Sequence, residues 1–302
     1  MKIRRVLMPT DFSECANAAL GHALFLADRF GAELDILHVV VLHHDDPYHP
    51  TAHFPDADDI YRKLSELAAS GLDELLGEGD RERLNIREVQ KRALAAAPEV
   101  VRYAEKQEVD LIVMGSHGRR GWRRFLLGSV AEEVVRTAPC AVLTLRESQA
   151  EVHPPSRILA PFDFSEASRQ ALVAAKDLAV RFGASLEVLH VIEPPLDPDL
   201  YVGLHDRYES FDVEHLAGRT RKALEQEVAK SDGPDPDGMS LRVEGGRAGT
   251  EILRRAEESE ADLLVISDKG RSGFERFMLG SVAEKVIRSA RCPVLTLEAP
   301  TN

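Results

Sequence analysis

The sequence contains one unit twice, and this duplication limits the folds that the chain can adopt. Residues 110–145, DLIVMGSHGRRGWRRFLLGSVAEEVVRTAPCAVLTL, recur 152 positions later, and 22 of the 36 paired positions are identical. The same offset relates PTDFSE at residues 9–14 to PFDFSE at residues 161–166. A unit of about 150 residues is an ordinary size for a domain with its own core. The sequence therefore predicts two similar domains rather than a solenoid of short repeats.

Domain bounds and general class follow from composition. The predicted domains are residues 1–147 and 156–302, and a polar, proline-bearing linker joins them at 148–155. With 44% hydrophobic residues, each half has enough apolar content to fold. No apolar run reaches membrane-spanning length, and the formal net charge of -13 argues against nucleic acid or an anionic membrane as a partner. We expect a cytoplasmic protein whose three cysteines are reduced.

Hydrophobic patterning predicts alternating strands and helices in each unit. In the first, a strand precedes Pro9, a helix runs from Ser13 to Phe30 and ends at Gly31, and a second strand covers 33–41. A helix over 58–76 ended by Gly77 and Gly79, a strand at 84–92, a helix at 98–106 and the strand, helix and strand of 110–145 complete the unit. The fold class is therefore α/β, with two tandem doubly wound (Rossmann-like) domains. Each is expected to hold a five-stranded parallel sheet of order 3-2-1-4-5. Ligands bind such sheets at the carboxyl ends of strands one and four, where the winding reverses.

A glycine-rich loop lies at this reversal in the predicted sheet. Gly115 and Gly118 follow the fourth strand, and Gly128 and Ser129 stand where the next helix begins. Glycine lets backbone N–H groups approach an anion closely, and a helix N-terminus presents free N–H groups and the positive end of its dipole. The spacing therefore predicts an anion site, and phosphate is the anion that it favours. No Walker P-loop sequence occurs in the chain.

These residues resemble the nucleotide-binding signature of the universal stress protein family. The family's pattern is G-x-x-G, nine residues, then G-S, and PTDFSE is similar to its first strand. The resemblance implies a stress-induced cytoplasmic protein, often dimeric, that binds ATP or a related adenine nucleotide, with or without Mg²⁺. It places adenine near Asp11 and the backbone of Val39, and ribose and phosphates along Met114, Gly115 and Gly118. The remaining phosphates would lie on Gly128, Ser129 and Val130, and the equivalents in the second repeat are Asp163, Val191, Gly270, Gly280, Ser281 and Val282.

The second repeat departs from this pattern at its first glycine. Ser267 replaces that glycine and Asp268 follows it. The loop at 116–127 carries four arginines and a formal charge of +4, whereas the loop at 268–279 carries +1. If the position of Gly115 requires a positive φ, serine there costs about 1–2 kcal/mol, or about tenfold in affinity. The hypothesis is that the first repeat binds ATP and that the second binds weakly or takes a less charged ligand.

Several of these features have a second interpretation. The glycines could merely shape a surface loop, and Asp11 and Asp163 could cap the turn before the first helix instead of facing a ligand. Four arginines (Arg119, Arg120, Arg123 and Arg124) could contact phosphate or form a solvated face. Trp122 and Phe274 are expected to pack on a helix rather than stack on a base. Residues 43–53 hold four histidines and two aspartates without a strict zinc spacing, so a solvated loop is favoured over a metal site.

For function, the sequence favours a nucleotide-dependent sensor or binding module. The alternatives are a slow ATP-hydrolysing enzyme and a scaffold that binds a non-nucleotide ligand or metal. The enzyme is disfavoured because no nucleophile with a placed base and no carboxylate pair for a metal is evident beside the phosphates. The last strands of the repeats, at 140–145 and 292–297, are expected to pair with each other, since exposed sheet edges invite pairing. The resemblance also allows a homodimer.

Overall fold

The structure is a computed structural model, and the chain forms two compact units, Lys2–Val152 and His153–Asn302. The described residues are 1–41, 76–118, 127–193, 213–270 and 279–298, together with the isolated residues 63, 66 and 71. Within them, no helix has the length and apolarity that crossing a membrane requires. The domain bounds at 147 and 156 stay predictions.

The first unit alternates strands and helices as its sequence predicts. Its elements are β1 (Arg5–Thr10), α1 (Glu14–Phe30), β2 (Glu33–Val41), α2 (Glu78–Arg83), β3 (Ile86–Ala93), α3 (Ala96–Lys106), β4 (Leu111–Gly115), α4 (Ser129–Thr137), β5 (Ala141–Leu145) and a 3₁₀ turn (Glu147–Gln149). The strand order is β3-β2-β1-β4-β5, and every neighbouring pair is parallel. The predicted order 3-2-1-4-5 is confirmed.

The second unit repeats this arrangement. Its elements are β6 (Arg157–Pro161), α5 (Glu166–Phe182), β7 (Ser185–Ile192), α6 (Val213–Lys230), β8 (Ser240–Gly245), α7 (Ala248–Glu258), β9 (Leu263–Ser267), α8 (Ser281–Ser289) and β10 (Val294–Leu297). The strand order is β8-β7-β6-β9-β10, again parallel throughout. The predicted class, two tandem doubly wound α/β domains, is confirmed.

The first helix of each unit has clear start and stop signals. The Ser13 side chain accepts a hydrogen bond from the Ala16 N–H at the start of α1, and Gly31 ends that helix in the left-handed region at φ 63°. Ser165 and Gly183 perform the same roles for α5. These caps fix where α1 and α5 begin, directly after the turns that follow β1 and β6.

One prediction in the first unit is wrong, and another lies outside the described residues. Gly79 does not end a helix, because it lies inside α2. The reason is that Gly77 acts as the N-cap and donates its N–H to the Asp80 carboxylate at 3.3 Å, so the glycine pair opens a helical turn. Most of the helix predicted at 58–76 falls outside the described residues.

The core of each unit lies on its central strands. Leu111, Ile112, Val113 and Met114 of β4 are all 5% exposed or less, and Leu263–Ile266 of β9 are similarly buried. The cysteines Cys15, Cys140 and Cys292 are thiols, not disulfides. Burial raises the pKa of the Cys292 thiol to about 12, which makes it unreactive at neutral pH.

Candidate functional site

The candidate site of the first unit lies at the carboxyl ends of β1 and β4, and Asp11 is its first residue. Asp11 follows β1, and its Oδ1 accepts a hydrogen bond from the Ser13 N–H at 3.1 Å. Ser13, not Asp11, caps α1 through its side chain. One carboxylate oxygen of Asp11, Oδ1, is therefore bonded within the turn that follows β1.

The loop after β4 approaches this second oxygen closely. A Cβ atom added to Gly118 would lie 2.6 Å from Asp11 Oδ2, closer than any real side chain allows. The second unit has the same juxtaposition, with 2.8 Å between a Cβ on Gly270 and Asp163 Oδ2. Residues more than a hundred positions apart in sequence are thus brought together, and a side chain at 118 would displace the Asp11 carboxylate from this position.

Phe12 and Phe164 hold the turn after the first strand in a conformation that the sequence does not reveal. Phe12 has φ 61° and Phe164 has φ 66°, values that are costly for an aromatic residue. Their rings lie 4.9 Å from the His38 ring and 4.8 Å from the His190 ring, measured between centroids. The only signal in the sequence is that phenylalanine occupies this turn in both repeats.

The second strands contribute Val39 and Val191, which are half-buried. His38 lies opposite Thr10, the last residue of β1, in the parallel pairing of β1 and β2, and Val39 is the next residue of β2. The imidazole Nδ1 of His38 lies 2.8 Å from the Thr10 carbonyl oxygen, which ties the ends of the two strands together. His190 Nδ1 lies 2.7 Å from the Phe162 carbonyl oxygen in the second unit.

Steric contact, and not backbone torsion, explains the glycine at position 115, the first of the loop. Neither Gly115 nor Ser267 has a positive φ, so the conditional penalty for serine does not apply. Glycine is needed in the first unit because a Cβ there would lie 2.8 Å from Cys15 Sγ and 2.9 Å from the Cys15 carbonyl carbon. The second unit has Ala167 in place of that cysteine, and Ser267 is 7% exposed in β9. Met114, which precedes Gly115, is 5% exposed, so only its backbone can reach a ligand.

The C-terminal end of the loop after β4, at Gly128, lies beside its N-terminal end, at Ser116. The Gly128 N–H donates to the Ser116 carbonyl oxygen at 2.8 Å, and the Gly280 N–H donates to the Asp268 carbonyl oxygen at 2.8 Å. A Cβ on Gly128 would lie 3.3 Å from the Ser116 oxygen, so the two ends of the loop are in close contact. A Cβ at 128 would require the Ser116 backbone to shift by a few tenths of an ångström.

Helix α4 begins at Ser129, as the spacing predicts. Its N-cap is Gly128, which has no side chain to offer, and among the described residues no side-chain bond caps α4 or its counterpart α8. Ser129 and Val130 are exposed, as is Ser281, while Val282 is half-buried. Among the described residues, the starts of α4 and α8 thus lack the side-chain cap that Ser13 and Ser165 provide for α1 and α5, and a helix start of this kind suits an anion.

All fourteen predicted site residues lie within the described residues, and in each unit they gather at the carboxyl edge of the sheet. The loop arginines Arg119, Arg120, Arg123 and Arg124 lie outside the described residues, as do Trp122, Phe274 and the histidine segment 43–53. Within the described residues, no group of three or more His, Cys, Asp or Glu side chains could hold a metal ion.

The second unit differs from the first in charge beside its loop. Asp268, which is 3% exposed, replaces Ser116, and Lys269 replaces His117. The Lys269 ammonium lies 3.7 Å from Asp268 Oδ2. In the first unit, the Ser116 hydroxyl lies 2.8 Å from His117 Nδ1.

Comparisons with known proteins agree with this architecture. The profile of the universal stress protein family matches residues 2–146 and 155–297. A universal stress protein of Methanocaldococcus jannaschii is 34% identical over 152 residues, which are 49% of this chain and 85% of that protein. One from Mycobacterium bovis is 30% identical over 197 residues, so the match spans 62% of this chain and 61% of that relative. The crystal structure of a universal stress protein from Archaeoglobus fulgidus has a TM-score of 0.72 and 22% identity, and covers 99% of this chain and 100% of its own.

Proposed function

Because the chain belongs to the universal stress protein family, we propose that it binds ATP or a related adenine nucleotide, mainly in its first unit, and acts as a nucleotide-dependent sensor or binding module. The observation that carries the proposal is the contact between Gly118 and Asp11 Oδ2. It places a carboxylate, a glycine loop and the uncapped start of α4 at one edge of the sheet.

Each part of this edge suits one part of the nucleotide. A carboxylate oxygen accepts a hydrogen bond from the adenine amine, and Asp11 supplies a carboxylate beside Gly118 at this edge. Val39 lies in β2 directly after the residue that pairs with the last residue of β1. The N–H groups at the start of α4 and the Ser129 hydroxyl suit phosphate oxygens. The four arginines of the loop at 116–127 give its sequence a formal charge of +4.

Binding in the first unit is favoured over binding in the second on grounds of charge. The loop at 268–279 carries a net +1, and Asp268 is a buried carboxylate at its base. A triphosphate carries several negative charges, so it prefers the more positive loop. The roles of Asp163, Val191, Gly270, Gly280, Ser281 and Val282 are proposed as those of their first-unit equivalents toward a weaker or less charged ligand.

Calorimetric titration of the nucleotide-stripped protein with ATP and Mg²⁺ tests this function, with AMP as the comparison. One ATP site per chain that weakens on substitution of Gly118 is the expected result. Two equal sites would contradict the preference for the first unit. The absence of both heat and thermal stabilisation would contradict nucleotide binding itself, and ATP turnover that depends on Gly118 and Ser129 would establish an enzyme instead.

The expected cytoplasmic location, the pairing of the repeats through their last strands and the homodimer stay predictions from the sequence.

A further inference from the structure

The two candidate sites share one backbone frame at the base of their glycine loops. The Ser116 N–H donates to the Leu145 carbonyl oxygen at 2.6 Å, and the Asp268 N–H donates to the Leu297 carbonyl oxygen at 2.9 Å. The carbonyl oxygens of the same two residues each accept the N–H of the glycine before the next helix, at 2.8 Å. Residues 116 and 268 therefore occupy equivalent places, and the units differ there in side-chain chemistry.

Ser267 does not account for a difference in ligand. Its hydroxyl donates to the Lys269 carbonyl oxygen at 2.7 Å, so the side chain folds back onto its own loop. The glycine that it replaces is required in the first unit by Cys15, and the second unit has alanine in place of that cysteine. The serine is accommodated without a strained backbone, since its φ is not positive.

Asp268 introduces a charge where the first unit has a hydroxyl. Its side chain is 4% exposed, and that of Lys269 is 15% exposed, with 3.7 Å between the ammonium and Oδ2. Solvent and salt screen such a buried carboxylate weakly. Gly270, which contacts Asp163 Oδ2, is only two residues away, and the Gly280 N–H at the start of α8 is bonded to the carbonyl of Asp268 itself.

We propose that Asp268 is the specificity-determining residue of the second unit, which restricts that site to adenine nucleosides carrying at most one phosphate. This rests on the proposed nucleotide function. The buried carboxylate repels each added phosphate, and this repulsion grows with the charge of the ligand, so discrimination rises from AMP to ATP.

Neutral substitution of Asp268 in the full-length chain tests the proposal. Asp268→Asn removes the charge at nearly constant volume, and calorimetry is expected to show a second ATP site that binds about tenfold or more tightly than the wild-type second unit. AMP affinity should change less than about threefold. Glu225→Gln is the matched control, since it removes one carboxylate from an exposed ion pair with Arg221 in α6 and should leave ATP stoichiometry unchanged.

A reciprocal variant keeps the test informative if Asp268→Asn does not fold. Ser116→Asp places a carboxylate at the equivalent position of the first unit and should weaken ATP binding there about tenfold while affecting AMP less. Equal losses for ATP and AMP would overturn the proposal. So would an Asp268→Asn chain that is folded and still binds a single ATP, although the proposed function would then stand. A wild-type chain that binds no nucleotide overturns both.

Discussion

At the scale of single residues, the site depends on positions where a side chain has no room. Gly118 is the sharpest example, because Asp11 Oδ2 occupies the place of its missing Cβ. Asp11 is also held on its other side by the Ser13 N–H. A methyl group at 118 therefore displaces the Asp11 carboxylate from the orientation that the turn gives it.

We predict that Gly118→Ala weakens ATP binding about tenfold or more while lowering the free energy of unfolding by less than about 1 kcal/mol. The reason is that the methyl group displaces a terminal carboxylate oxygen and not the backbone. Calorimetry and urea unfolding measure the two effects separately. Gly79→Ala is the matched control, since a Cβ there meets nothing within 4 Å. ATP affinity unchanged in Gly118→Ala would show that Asp11 does not face the nucleotide.

Gly115 makes a different demand, because its neighbours are the backbone and sulfur of Cys15. We predict that Gly115→Ser lowers the free energy of unfolding of the first unit by about 2 kcal/mol through overpacking. Adding Cys15→Ala, which reproduces the pair found in the second unit, should recover part of that loss, since the sulfur is removed and the backbone contact remains. Urea unfolding of the four chains of the double-mutant cycle measures the coupling, and strictly additive losses would contradict it.

At the scale of secondary-structure elements, a buried carboxylate joins β2, β3 and α3. Asp35 in β2 is fully buried and accepts hydrogen bonds from Arg87 Nε at 2.9 Å, Arg87 Nη2 at 2.7 Å and the Tyr103 hydroxyl at 3.1 Å. Burial, with the Asp35 charge beside it, raises the pKa of the Tyr103 phenol to about 12. The second unit joins its equivalent elements differently, through Glu187 of β7 and the Arg255 guanidinium of α7.

We predict that Asp35→Asn lowers the free energy of unfolding by about 2–3 kcal/mol. The substitution removes the charge that pairs with Arg87 and leaves a buried amide that cannot accept all the hydrogen bonds that Arg87 and Tyr103 donate to the carboxylate. The partly exposed Arg87 side chain can regain water, which limits the loss. Urea unfolding gives the value. Glu88→Gln in the neighbouring strand β3 is the control, since its exposed ion pair with Arg81 should contribute less than about 1 kcal/mol. A similar loss in both variants would show that burial of Asp35 is unimportant.

At the scale of the whole molecule, the chain consists of two units of one architecture with unequal sites. Each unit has its own buried central strands, and each has a glycine loop closed by a glycine N–H. They differ in charge at the loop, as Asp268 and Ser116 show. Nucleotide should therefore stabilise one unit more than the other.

We predict that ATP at 100 times its dissociation constant raises the free energy of opening of the globally exchanging amides in residues 2–152 by about 2.7 kcal/mol, which slows their hydrogen exchange. Exchange in residues 153–298 should stay nearly unchanged. Linkage is the reason, since a ligand stabilises only the unit that it binds. Mass spectrometry of peptides from the full chain measures the protection. The protection should be reduced in Gly118→Ala, and equal protection of both units would contradict unequal sites.

The sequence by itself determined the duplication, the strand order and the fourteen candidate residues. The duplication fixes domain number, and hydrophobic periodicity with capping residues such as Ser13 and Gly31 fixes the elements, because these signals are local. The pattern of Gly118, Gly128 and Ser129 predicted a site at the carboxyl edge of the sheet, where the ends of parallel strands meet, and these residues lie at that edge.

Only the tertiary structure decided why particular residues are needed. The requirement for Gly115 comes from Cys15 on another element, not from backbone torsion, and no local pattern contains that contact. The positive φ of Phe12 and the approach of Gly118 to Asp11 likewise depend on how separate segments pack. Sequence determines what is local and periodic, whereas the fit between distant segments is set by packing, which only the folded chain reveals.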